Sequence, residues 1–398
     1  MMKKFDCIVC GAGVSGFAAA IGARRAGASV LLLDRLSSAG GTAVYALTAF
    51  LSGWPFPCRA GGVADELADK LVQQQSAVWR NGNLAVEEDA LQMTMLDMLR
   101  EAGVETLFNA AIVSAENDGK RLKSITVQCG SSQLVLEADN FVDATGDAAL
   151  AAVAGAETVT PPAELSMTKT IMFKVGNVKN FDKTAVRERF LSIADTFPVK
   201  IQDRFMGTPL TRMDEVIINL TAAVGDATDP VAYSNMYDEL LRQIPEITAW
   251  LQKNFPEFAE CHVIKIAPVM GVRYSRSIAG RRQLTLEDMQ NPEPPPEPVA
   301  LCGSYIGGHY INGFTSPWGN RITGKPAIPY GALRSVTFDN LLAAGRNIAV
   351  DARVVSAVRL NVNCIGSGQA AGIAAALNVP DYQTLCAELT RQNCIFQK

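Results

Sequence analysis

Charge is scarce in this sequence and histidine is nearly absent. Charged residues make up 19% of the 398 positions, below the about 25% of an average globular chain. The 36 basic and 40 acidic residues leave a net charge of −4, with no Lys/Arg-rich block. That excludes the electrostatic footprint of a nucleic-acid binder. With two His residues, a Cys/His zinc site is not expected, and no metal is assigned. The nine Cys are scattered and odd in number, so they do not form a disulfide framework. Cys7 and Cys10 make a C-x-x-C, but inside an apolar run that reads as a strand, where residues three apart point to opposite faces. No internal repeat occurs. No stretch approaches the roughly 18 continuous apolar residues of a membrane span. Lys3 and Lys4 before the apolar stretch from Cys7 to Ala23 imitate a signal peptide. Asp6, the interspersed glycines and Arg24-Arg25 speak against one. The expectation is a cytoplasmic protein with no membrane and no nucleic-acid partner.

What is plentiful is apolar residues, at 48%, and glycine, at 32 positions. The length suits two domains or three. Asp6–Cys10, Ser15–Ala26 and Ser29–Asp34 read as strand, small-residue helix and buried strand, a βαβ unit with a parallel sheet. Val63–Gln75 and Glu87–Ala102 read as helices, the second with Leu91, Met95, Met98 and Leu99 at helical spacing. Residues 43–60 look irregular. Strands are expected at Val104–Leu107, Ala111–Ala115, Leu122–Cys129, Gln133–Ala138 and Asn140–Ala144. From about residue 160 the texture changes. Thr168–Val175 and Glu215–Thr221 read as strands, Thr184–Ala194 and Pro230–Asn254 as helices. Asn291–Pro298 is proline-rich and reads as a loop. The βα texture returns near residue 326, with a strand at Asn340–Ala344 and a Gly/Ala-rich helix at Val362–Leu377.

Four constellations carry chemistry. Gly11, Gly13 and Gly16 form G-x-G-x-x-G between strand and helix. The first allows a tight turn, the second a close approach to pyrophosphate, the third close helix packing. The following helix start, with Ser15, offers N–H groups and a partial positive charge to phosphate. Asp34 ends the next strand, near the spacing of a ribose-binding acid, with Arg35 beside it. Such a fingerprint fits FAD or NAD(P) alike, although Asp34 disfavours a 2′-phosphate. Gly40-Gly41-Thr42 could pass flat against a bulky ligand or be an ordinary turn. Thr145-Gly146-Asp147 closes a strand at the sheet edge. Arg346, Asp351 and Gly366-Ser367-Gly368-Gln369 belong to the C-terminal block, whose helix could face a ligand or simply be tightly packed.

In this order, with a large insertion between them, the four resemble the FAD-dependent oxidoreductase family of the glutathione-reductase-like superfamily. The resemblance extends to Gly271-Val272-Arg273-Tyr274-Ser275-Arg276, with Tyr274 where the family often has Glu, and to Ile328-Pro329-Tyr330. It is most specific in Asn340–Arg346 and Gly368–Leu377. It implies FAD, with the fingerprint glycines and Asp34 on the ADP half and Ile112 or Val113 near adenine. Asp351 would lie toward the ribityl or pyrophosphate part, and the Gly366–Gln369 helix start would face the flavin ring. It also implies an α/β fold: a Rossmann-type FAD-binding domain with a parallel sheet plus an inserted α+β substrate domain. Residues 1–160 and 326–398 would form the first, and 161–325 the second, with 43–87 contributing.

Opposite the flavin, candidate catalytic groups are His309, Tyr310 and Arg273. His309 lies in a Gly-flanked loop and suits acid–base work, or is merely solvated. Arg273 and Arg276 could clamp a carboxylate or pair within the protein. Arg346, Arg353, Arg359 and Cys364 are further polar candidates. The expected activity is hydride transfer between a small organic substrate and FAD, with an unidentified electron donor or acceptor. A nicotinamide-only dehydrogenase, a non-redox FAD-binding module and a flavin-assisted group transfer remain open at this level.

Overall fold

The computed structural model describes residues 4–55, 59–302, 307–310 and 326–397. The chain begins with β1 (Lys4–Cys10), α1 (Val14–Arg25) and β2 (Val30–Leu33). All four residues of β2 are buried, as a strand covered on both faces requires. β1 runs parallel to β2, Cys7 opposite Val30 and Cys10 opposite Leu33. The short α2 (Gly41–Tyr45) follows, then β3 (Phe50–Leu51), α3 (Gly62–Gln73), β4 (Ala77–Arg80), β5 (Asn83–Val86) and α4 (Glu88–Glu101). β3, β5 and β4 make a small antiparallel sheet, so residues 43–60 are less irregular than expected.

β6 (Glu105–Leu107) adds outside β2. β7 (Ala111–Asn117), β8 (Leu122–Cys129) and β9 (Ser132–Asp143) form an antiparallel arm. The two strands expected at Gln133–Ala138 and Asn140–Ala144 are thus a single one. Its first half pairs with β8 and its second half with the last strand of this sheet, Leu341–Ala343. Fully buried Asn340 secures the junction: its amide donates to Leu122 O at 2.9 Å and Asp139 O at 2.8 Å. β1 pairs in parallel along β9. The order of the chain reverses between β1 and β9, since β2 and β6 lie on one side and the later strands on the other. At such a switch point the carboxyl ends of the strands leave a crevice.

After β9 come α5 (Ala149–Val153) and β10 (Thr158–Val159), and the inserted region then holds β11 (Phe173–Gly176), α6 (Lys183–Ser192), β12 (Gly207–Pro209), β13 (Val216–Ile218), α7 (Pro230–Asn254), β14 (His262–Ile266), β15 (Ser277–Ile278), α8 (Leu286–Gln290) and β16 (Pro298–Leu301). β12, β13, β11 and β14 form an antiparallel sheet in that order. Asp182 and Asp229 cap α6 and α7 with their carboxylates, which fixes where these helices start. Phe190, Phe197, Trp250, Phe255 and Phe258 pack edge-on or tilted beside this sheet. Only the end of the expected strand Thr168–Val175 is ladder-paired. Met167, Lys169 and Thr170 bridge separately to Tyr310, Ala223 and Gly271.

The chain returns through β17 (Ala327–Pro329), β18 (Leu341–Ala343), α9 (Val355–Val358), α10 (Asn361–Ala376) and α11 (Tyr382–Arg391). Helices α1 and α10 approach to backbone contact through glycine. A Cβ on Gly368 would lie 2.1 Å from Ser15 O, and one on Gly372 1.9 Å from Ala19 O.

Candidate functional site

The first turn after β1 is forced by Gly11, at φ +101°, whose Cβ would fall 2.4 Å from Ala144 O. Gly16 lets α1 sit directly on that turn, for its Cβ would overlap Gly11 O at 1.7 Å. Helix α1 has Gly13 at its N-cap, no side-chain cap and no acid in its first turn. Its positive end therefore meets whatever occupies the crevice. Asp34 accepts from Ala12 N at 2.5 Å and Leu36 N at 2.8 Å, so its carboxylate holds the glycine loop in shape. Gly41, at φ +51°, comes so close that a Cβ would lie 2.6 Å from Gly13 Cα.

These residues line one end of a cavity of about 1090 Å³, above the about 300–1,000 Å³ usual for small-molecule sites. Gly11, Gly13, Ser15, Asp34, Arg35, Gly41, Thr42, Ile112, Thr145, Gly146, Asp147 and Arg346 are on its wall. Asp143, fully buried below them, accepts from Thr145 N, Ala151 N and Asn347 Nδ2 at 2.9–3.0 Å. Burial raises its carboxyl above the usual range. Arg346 donates to Gly146 O at 2.7 Å, to Asp147 Oδ1 at 2.6 Å and to Val272 O. Ser275 also donates to Asp147, and Arg276 donates to its carbonyl at 3.0 Å. This cluster latches the inserted region to the parallel sheet.

Several expected positions lie elsewhere. Gly16 and Gly40 are behind the wall, and Val113 faces outward while its neighbour Ile112 faces in. The pairing of β7 with β8 shifts register between Ile112 and Ser114, at Val113. Asp351 is engaged by Arg353 at 2.8 Å and is off the wall. The Gly366–Gln369 segment is not a helix start. α10 begins at Asn361, uncapped by any side chain, and its first turns present Asn361 and Cys364 to the cavity. Gly368 packs on α1, and Gln369 accepts from Val63 N at 3.0 Å. Gly366 and Ser367 are also off the wall.

The other end of the cavity is roofed by the inserted region. Arg273 donates to Thr168 O at 2.6 Å and Asn219 Oδ1 at 2.9 Å. Asn219 also accepts from Thr170 at 3.0 Å. His309 lies on the same wall; its carbonyl accepts from Thr168 N at 2.7 Å. Burial, reinforced by Arg273, Arg359 and Arg204, holds its imidazole well below the ordinary range. It is therefore neutral at neutral pH. Tyr310 is buried but not on the wall, and burial raises its phenol. Arg276, Arg359 and Cys364 line the cavity, and Arg353 does not. Burial pushes the Cys364 thiol up to about 12, which leaves it protonated. Two residues were missed in the sequence. Asn219 orients Arg273. Lys169 is buried, donates to Met167 O at 3.0 Å, and is lowered to about 8 by burial. The T-K-T-I alternation gave no sign that its lysine faces inward.

A dinucleotide fits this wall. Its phosphates match the uncapped α1 start, the glycine contacts leave room for a flat approach, and the long cavity accepts an extended molecule. A parallel sheet open at its switch point under an antiparallel roof defines the class: a Rossmann-type enzyme carrying a nucleotide cofactor. A family model for FAD-dependent oxidoreductases matches residues 6–393, and the chain belongs to that family. Its cofactor is FAD, and it is an oxidoreductase. This sets aside the nicotinamide-only dehydrogenase and the non-redox module. Among solved structures, it is similar to a geranylgeranyl bacteriochlorophyll reductase-like protein from Thermoplasma acidophilum. The TM-score is 0.53 at 13% identity, over 98% of this chain and 83% of that one. It is also similar to p-nitrophenol 4-monooxygenase PnpA from Pseudomonas putida, with TM-score 0.50 and 12% identity over 98% and 84%. A third is the myxobacterial chondrochloren halogenase CndH, with TM-score 0.50 and 15% identity over 98% and 79%. At these identities the likeness is one of fold. A search of curated protein sequences finds no match. Among the described residues, no helix is long and apolar enough to cross a membrane.

Proposed function

We propose that this enzyme transfers a hydride between FAD, held along the Gly11–Gly16 turn, and a small organic substrate held under the roof. One observation carries the reading: a single cavity wall runs from Gly11 and Gly13 to Arg273 and His309. When bound, FAD supplies a ring that takes up or gives back the hydride. The protein's part is to position and to move one proton. Arg273, oriented by Asn219 and Thr168, binds a polar group of the substrate. His309, kept neutral, accepts the substrate proton on oxidation and returns it in reverse. Tyr310 acts behind it as a positioning residue. Gly11, Gly13, Ser15, Asp34, Arg35, Gly41, Thr42 and Ile112 serve the adenosine and phosphate half. Thr145, Gly146, Asp147, Arg346, Asn361 and Cys364 serve the rest.

Residues 1–160 and 326–398 are proposed as the FAD-holding domain and 161–325 as the roof. The 43–87 region adds Thr48, Phe50, Ser52 and Asn83 to the wall. The eight described cysteines are free thiols, which fits a cytoplasmic setting. The electron partner is a separate molecule.

The test is anaerobic mixing of the FAD-loaded enzyme with panels of organic acids, alcohols and amines, following loss of the flavin's visible absorbance. The compound that bleaches wild type is then given to His309→Gln with equal FAD content. Bleaching slower by about 10²–10⁴-fold is expected. Equal rates in the two proteins would remove His309 from the chemistry. A flavin that no compound bleaches would remove the hydride-transfer reading.

A further inference from the structure

The side-chain amide of Asn219 has an oxygen that orients Arg273 and a nitrogen with no role so far. Asn219 directly follows β13, and its backbone N–H donates to Met206 O at 2.8 Å. Its Oδ1 accepts from Arg273 Nη2 at 2.9 Å and from Thr170 Oγ1 at 3.0 Å. A guanidinium has no acceptor atom, so the amide oxygen must face it and the amide cannot be turned round. Thr170 is fixed in its turn. It exchanges backbone hydrogen bonds with Gly271 at 2.7 and 3.2 Å, and its hydroxyl lies 3.0 Å from that of fully buried Thr221. The Asn219 side chain is thus held from two sides.

Among the described residues, Asn219 Nδ2 donates to no acceptor, and it is not a buried orphan either. Asn219 is half-buried and lines the cavity. Its N–H groups therefore open on the space under the roof. Other neutral polar side chains of the roof wall do not select a ligand in the same way. Thr228 and Ser234 give their hydroxyl protons to Asp226 Oδ1 at 2.7 Å and Pro230 O at 2.8 Å. The hydroxyls of Thr208 and Tyr233 receive Lys183 Nζ and Met270 N, each at 3.4 Å. A hydroxyl turns to donate or accept as its partner requires. Asn219 is locked as a donor, so a ligand that presents a donor there leaves both groups unmatched.

We propose that Asn219 is a substrate-binding residue whose side-chain N–H donates to a carbonyl oxygen, and that the substrate carries a neutral carbonyl group. A carbonyl oxygen has lone pairs and no proton, which suits a donor that cannot turn. This rests on the reading that the substrate lies under the roof.

The test compares the wild-type holoenzyme with Asn219→Asp at equal FAD content. Aspartate has the shape of asparagine and keeps an oxygen for Arg273 and Thr170, but it has no N–H. Cyclohexanone and acetophenone are titrated beside methylenecyclohexane and α-methylstyrene, which carry CH2 in place of the oxygen, and affinities are read by calorimetry. The two ketones should lose at least about fivefold in Asn219→Asp, the cost of leaving one partner of a hydrogen bond unmatched. The two hydrocarbons should hardly change. If ketone and hydrocarbon lose alike, if neither loses, or if wild type binds neither ketone, the proposal is overturned. A second measurement needs no variant. The infrared carbonyl stretch of isotope-labelled acetophenone bound to wild type should lie below its position in hexane, and a stretch at the hexane position would overturn the proposal. If the ketones behave as expected but nothing bleaches the flavin, hydride transfer falls and the Asn219 site stands. If a compound bleaches the flavin while both proteins bind the ketones alike, the reverse holds.

Discussion

Replacing Gly372 by Ala in α10 sets two opposed effects against each other. In a helix interior the change gains about 1 kcal/mol of intrinsic propensity. Against this, the new Cβ would lie 1.9 Å from Ala19 O, whereas a carbon–oxygen contact needs about 3.3 Å. The obstacle is backbone on a helix buried almost throughout, so no rotamer relieves it. One helix must withdraw by roughly 1.4 Å, and overpacking of this kind costs about 1–3 kcal/mol. A net loss of up to about 2 kcal/mol follows from those two magnitudes. Gly366→Ala is the control in the same helix. Its Cβ meets only the Ala300 methyl at 3.2 Å, so the variant should stay within about 1 kcal/mol of wild type. Urea unfolding at saturating FAD reads both. Gly372→Ala as stable as Gly366→Ala would refute the reasoning, since propensity would then outweigh the helix contact.

His309 makes stability fall on the acid side. Its folded pKa lies below the ordinary value. As pH drops below about 6.5 the unfolded chain takes up a proton that the folded chain resists. His309→Gln should therefore lose less melting temperature than wild type between about pH 7 and 5, and parallel curves would contradict this. Lys174 ties the roof to α4. Its side chain is 7% exposed and pairs with Glu88 at 3.0 Å, itself 4% exposed. Lys174→Met should cost up to about 3–5 kcal/mol by leaving Glu88 buried with one fewer cation. The remaining cation is Lys265, at 2.9 Å. Lys174→Met with Glu88→Leu should recover much of that loss; a neutral single variant would show that the pair does not matter.

The parts of the fold written in local chemistry were readable in the sequence. Strand, glycine turn and helix at Asp6–Ala26 follow from apolar periodicity and the tight turn at Gly11. Helix α7 was legible at its observed bounds, Pro230–Asn254, and in the structure Asp229 supplies its N-cap with Pro230 following. Helix α10 was legible at Val362–Leu377, within one residue of its observed bounds, although Leu360 at its N-cap offers no side-chain acceptor. The family resemblance put Gly366–Gln369 at the flavin, but these residues lie inside the helix and off the cavity wall. Glycine permits close approach to a ligand and to a helix equally, and sequence alone does not say which. Lys169 was missed because its burial comes from residues distant in the chain, and Asn219 because its partners Thr170 and Arg273 are distant in the chain.

The central claim is that the turn opened by Gly11, Gly13 and Gly16 holds FAD at the start of α1. The most direct measurement is the flavin released on denaturing purified protein, for wild type and for Gly13→Glu. Gly13 lines the cavity beside Gly41, so the substitution puts a carboxylate where phosphate is expected. The account predicts stoichiometric FAD from wild type and little or none from a folded Gly13→Glu. Wild type that takes up no FAD, or a Gly13→Glu variant that keeps it, would contradict the claim.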